Sequence, residues 1–125
     1  MPKQGRNIGQ LTATGNPAPA VTLGAGWGAS ASSALTTGAN DVAGQVVVTA
    51  LVGGGEMAQA TATVTVTFAT AYATAPRVAL ITTTNDNSID TGHATYTVST
   101  TALVITFSLL PVTTKIYTFN YALIA

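Results

Sequence analysis

Residues 60–68, Ala-Thr-Ala-Thr-Val-Thr-Val-Thr-Phe, alternate without interruption: Ala60, Ala62, Val64, Val66 and Phe68 are apolar, and Thr61, Thr63, Thr65 and Thr67 fall between them. A two-residue period puts every apolar group on one side of an extended chain, which a helix cannot do. Slipping the pairing by one residue would expose that whole apolar set and bury the hydroxyls, so the register of this strand is firmly set.

The same period recurs along the chain. Residues 29–37 read as a strand of small side chains, closed by the turn residues Gly38-Ala39-Asn40-Asp41. Residues 44–51 form a stronger strand with Val46, Val48 and Ala50 on one face, and Gly53-Gly54-Gly55 then break it. A hairpin is expected between this strand and residues 59–68, with a loop from about Val52 to Ala58. Pro76 forces Ala75 into an extended conformation and ends the next connection. Residues 77–83 place Val78, Leu80 and Thr82 opposite Arg77, Ala79 and Ile81. A polar loop precedes residues 93–100, where Tyr96 and Val98 alternate with threonine, and residues 102–109 align Leu103, Ile105, Phe107 and Leu109. Beyond a turn at Pro111, residues 115–124 carry Tyr117, Phe119, Tyr121 and Leu123 on one face and further apolar groups on the other. Apolar side chains on both faces mark a central strand or a subunit contact. Six or seven short strands with no helical period predict an all-β chain folded as an antiparallel β-sandwich.

Residues 1–28 lack this order. Six glycines and three prolines break any periodicity there, and the segment reads as an extended N-terminal arm ahead of a sandwich domain spanning residues 29–125. Lys3 and Arg6 are candidate contacts to an acidic partner surface. Trp27, the only tryptophan, lies between Gly26 and Gly28, and two roles fit it. It is either an apolar anchor into a partner's pocket or a plug over the open end of this domain's own core.

Composition narrows the function. The chain of 125 residues suffices for one domain, is 47% hydrophobic and only 6% charged, and its charges cancel to zero. Roughly a fifth of it is threonine. A basic groove for nucleic acid and a polybasic membrane patch are therefore not expected. With so little charge to keep copies apart, much of the surface is predicted to be covered in an assembly. Without cysteine there are neither disulfides nor thiolate metal sites. No apolar run approaches the length of a membrane span, and the N-terminus has no signal-peptide core.

Catalytic machinery is hard to assemble from these residues, and the chain is not expected to be an enzyme. There is a single histidine, with no Gly-x-Ser-x-Gly elbow and no phosphate-binding Gly-rich loop. His93 with Asp90 and a nearby serine reads more simply as a surface residue at a strand start. The loop holding Asp86 and Asp90 concentrates oxygen ligands, but its spacing fails the calcium-loop template, so no metal or cofactor is expected. As a glycan site, Asp86, Asp90 and His93 would hydrogen-bond hydroxyls beside an aromatic platform such as Tyr72.

Four segments together resemble a known family: Asp41-Val42-Ala43-Gly44-Gln45-Val46-Val47-Val48-Thr49, the run from Thr65 through Phe68, Tyr72 and Pro76 to Val78, Tyr96-Thr97-Val98, and Tyr117-Thr118-Phe119-Asn120-Tyr121. They look like the small β-sandwich domain of tailed-bacteriophage virion proteins, found in head decoration proteins and at tail-fibre ends and distantly similar to H-type lectins. The resemblance spans residues 38–125. It implies a homotrimer on the virion, either cementing the major capsid protein or another virion protein, or serving on a tail as a glycan-recognising domain. A domain preceded only by a short arm suits the capsid surface better than a fibre tip.

Overall fold

The computed structural model describes residues 17–50, 62–84, 94–108 and 114–125. Eight strands form two four-stranded antiparallel sheets, and the only helical element described is one 3-10 turn at Ala25–Trp27. The strands are β1 (Ala20–Leu23), β2 (Ser32–Leu35), β3 (Ala43–Thr49), β4 (Ala62–Thr67), β5 (Val78–Thr83), β6 (Ala94–Val98), β7 (Ala102–Phe107) and β8 (Ile116–Ile124). Sheet A has the order β1-β4-β7-β6 and sheet B the order β2-β3-β8-β5. The all-β sandwich expected from the two-residue period is the fold observed.

Each sheet turns one apolar side to the other. In sheet A, Val64 of β4 stands beside Ile105 of β7, Val66 beside Leu103 and Ala62 beside Phe107, all buried. In sheet B, Val46 faces Phe119 and Val48 faces Tyr117 across β3 and β8, again buried. Same-face neighbours of this kind are the stabilising unit of a sheet, and burying each large side chain contributes about 1.5–3 kcal/mol. The aromatic rings meet at the middle: Phe107 of one sheet lies 4.5 Å from Phe119 of the other, centroid to centroid. β8 is flanked by β3 and β5, a central position, which is one of the two placements that its apolar faces suggested.

The hairpin expected between β3 and β4 does not form. β3 pairs with β2 and β8, β4 pairs with β1 and β7, and the two lie in opposite sheets. The expected loop from Val52 to Ala58 lies outside the described residues. The physical reason lies in β8, which matches every residue of β3 in an unbroken register from Ala43 opposite Ala122 to Thr49 opposite Ile116.

The sandwich also starts earlier in the chain than expected. Ala20–Leu23 is a strand of sheet A, paired with β4 from Ala20 opposite Thr67 to Leu23 opposite Val64, and Gly24 N–H prolongs the ladder to the Thr63 carbonyl at 2.9 Å. The sandwich thus begins before residue 29. Pro19 just ahead of β1 is compatible with this because β1 is an edge strand, where a missing N–H costs the ladder nothing.

Candidate interaction surface

Trp27 belongs to the core. It is fully buried, and its ring meets Phe107, Tyr117 and Phe119 edge-on at 5.6, 5.4 and 6.0 Å between centroids. Its indole N–H donates to the Thr63 carbonyl at 2.9 Å. Gly28 follows with φ 98° and ψ 151°, a backbone region open essentially to glycine alone, and turns the chain toward β2. The flanking glycines thus carry the chain across the open side of the sandwich between β1 and β2. Trp27 plugs that side and, fully buried, does not reach out as an anchor. Lys3 and Arg6, and the loop candidates Asp86, Asp90 and His93, lie outside the described residues.

A buried polar clamp closes one end of the sandwich. Asn40 and Asp41, in the turn before β3, are both buried. Asn40 Oδ1 accepts from Val42 N–H at 2.8 Å and Ala43 N–H at 3.1 Å, an Asx turn that starts the strand. The Asp41 carboxylate reaches the segment that leaves β4 in the opposite sheet, accepting from Ala69 N–H at 2.8 Å and Thr70 N–H at 2.9 Å. Two tyrosines complete the clamp: Tyr72 donates its hydroxyl to the Asp41 carbonyl at 2.8 Å, and Tyr121 donates to the Asn40 carbonyl at 2.6 Å. Burial, then the neighbouring Asp41 carboxylate, raises the pKa of the Tyr72 hydroxyl. The same two causes, with Tyr72 third, raise that of Tyr121 strongly.

Space in the clamp is tight. A Cβ at Gly44 would lie 2.7 Å from the Ala39 Cβ and 2.7 Å from the Tyr121 hydroxyl. Asp41, Gly44, Phe68, Tyr72 and Tyr121 are therefore bound together by the fold. Tyr72, the aromatic expected beside the glycan loop, is partly buried, with its hydroxyl engaged and its ring packed edge-on against Phe68 at 5.0 Å.

The outward faces of the two sheets differ in kind. Sheet A presents a threonine ladder, in which Thr22, Thr65 and Thr97 occupy one row with Val104. On sheet B, three side chains join across the strands: Gln45 donates its amide to Asn120 at 3.0 Å, and Asn120 donates to Thr82 at 3.1 Å. Beside that row the face becomes apolar, with Leu80 opposite Ala122 and Val78 opposite Ile124. Leu80, Ile124 and Val78 are 53%, 50% and 37% exposed. Neither outward face, among the described residues, carries an ionisable side chain.

The side of the sandwich opposite Trp27 is open. There the edge strands β5 and β6 border a cleft of about 600 Å³, with Ala79, Ile81 and Thr83 on one wall, Ala94 and Tyr96 on the other, and Phe107 contributing to the lining. Tyr96 points in phase with the core but is 38% exposed because the cleft leaves it uncovered. Among the described residues no three side chains of metal-ligating type come together, and no helix is long and apolar enough to cross a membrane. No protein-family model, curated protein or solved structure significantly matches the chain.

Proposed function

We propose that this chain is a bacteriophage virion structural protein, a homotrimeric decoration protein that cements the capsid surface. One observation carries the reading: the sandwich presents two outward faces without ionisable groups, and one of them exposes large apolar side chains. Apolar surface left in water is a marker of contact with another protein. The clamp residues Asp41, Gly44, Phe68, Tyr72 and Tyr121 all fall within the segments that resemble the virion sandwich, and they pack together as one unit. In this reading the sandwich sits on the shell, and the residues ahead of β1, with Lys3 and Arg6, reach across the major capsid protein. Contacts of one trimer with several capsomers add by multivalency, so weak individual patches hold strongly together. Counting copies per purified particle tests the reading: hundreds are expected, and a handful, or none on the head, overturns it.

A second reading, a receptor-binding domain of the tail, draws on the open cleft. Tyr96 offers a ring for stacking a pyranose, and Thr82 and Thr83 lie in the same lining. Specific binding on a glycan array, lost in Tyr96→Ala, would favour it over decoration.

A further inference from the structure

Four of the five large apolar side chains that are exposed among the described residues gather at one place. Val78 and Leu80 of β5 and Ile124 of β8 share the outer face of sheet B, and Tyr96 lies across the cleft that β5 borders. Leu80 belongs to both surfaces, so the apolar strip runs over the free edge of sheet B and into the cleft. We propose that this strip, centred on β5, is the surface through which a second copy of this chain docks. The proposal deepens the decoration reading by naming its subunit contact.

Three arguments select a copy as the occupant. The first is charge. The strip carries no Asp, Glu, Lys, Arg or His side chain, and Arg77 stands just outside it at the entry to β5. A charged partner would lose hydration there without finding a counter-charge. This chain, whose formal net charge is zero, brings no such cost and no long-range repulsion between copies. The second is area. Four strands spaced about 4.8 Å apart and ranging from about 13 Å for β2 to about 30 Å for β8 give sheet B a flat footprint on the order of 400 Å². A stable association takes ~800 Å² per partner, so the contact extends from the apolar strip over the Gln45–Asn120–Thr82 row and the cleft wall. The third is edge chemistry. β5 and β6 terminate their sheets and contain neither proline nor charge, the devices that usually keep an exposed edge from pairing.

Sedimentation velocity over a concentration series tests the proposal. Wild type is expected to sediment as an oligomer. Leu80→Glu should weaken association at least tenfold, with an unchanged far-UV spectrum because Leu80 is half exposed. Leu80→Ala, which removes area without adding charge, should weaken it less. Thr22→Glu, on the exposed threonine face, should leave it unaltered. A wild type that stays monomeric throughout, or Leu80→Glu and Leu80→Ala proteins that associate as tightly as wild type, overturns the proposal. A chain that assembles through β5 yet is absent from heads refutes decoration alone. One that decorates heads but assembles through another face refutes this surface alone.

Discussion

Trp27→Ala offers the sharpest separation between a core residue and a partner anchor. The indole is fully shielded and touches three aromatic rings drawn from both sheets. Truncating a buried tryptophan costs about 3–5 kcal/mol in lost transfer energy and residual cavity. The hydrogen bond adds little to that figure, because the Thr63 carbonyl keeps a second donor, Gly24 N–H at 2.9 Å. Measured against the ~5–15 kcal/mol total of a small domain, the loss removes a large part of its stability. Urea unfolding followed by far-UV circular dichroism, at one fixed protein concentration, should show the midpoint falling by roughly 2 M at an unchanged slope. Trp27→Phe should lose less, since a ring still fills part of the site. In the wild type, the lone tryptophan should emit as a shielded indole and resist aqueous quenchers until the transition. A midpoint shift in Trp27→Ala worth less than about 1 kcal/mol, or a freely quenched native tryptophan, would refute the core assignment.

Gly44→Ala forces a methyl against Ala39 and the Tyr121 hydroxyl, and should cost about 1–3 kcal/mol; combined with Tyr121→Phe the loss should be less than additive, and strict additivity in a thermodynamic cycle would place the strain elsewhere. The clamp also predicts alkaline sensitivity. The raised folded-state pKa of Tyr121 means the native state holds its proton more tightly than the unfolded chain does. This stabilisation is full below about pH 10, the unfolded value, and fades as pH rises above it. Denaturation midpoints should therefore drop between about pH 10 and 12, and less steeply in Tyr121→Phe; parallel profiles would contradict the burial of that hydroxyl. Deleting residues 1–16 should leave a cooperative fold, whereas deleting residues 1–28 removes β1 and Trp27 and should abolish it. Equal melting of the two truncations would show that β1 is dispensable.

Two-residue alternation is a property of neighbouring residues. It marks which side of a strand is apolar whatever that strand pairs with, and so the strands and their inward residues, from Val64 and Val66 to Phe119 and Leu123, were legible in the chain alone. Pairing partners were not, because they depend on the surface buried between segments far apart. A seven-residue match with β8 holds β3 away from β4, and no local pattern announces it. The four-residue β1 is too short to stand out among glycines and prolines, and Trp27 between two glycines looked the same as an anchor or as a plug. The clamp residues were visible as a resemblance, while their common purpose, tying the turn before β3 to the segment after β4, needed coordinates. Exposure follows the same logic: Tyr96 has the phase of a core residue and Leu80 that of a surface one, and only the open side between β5 and β6 brings them to one boundary with water.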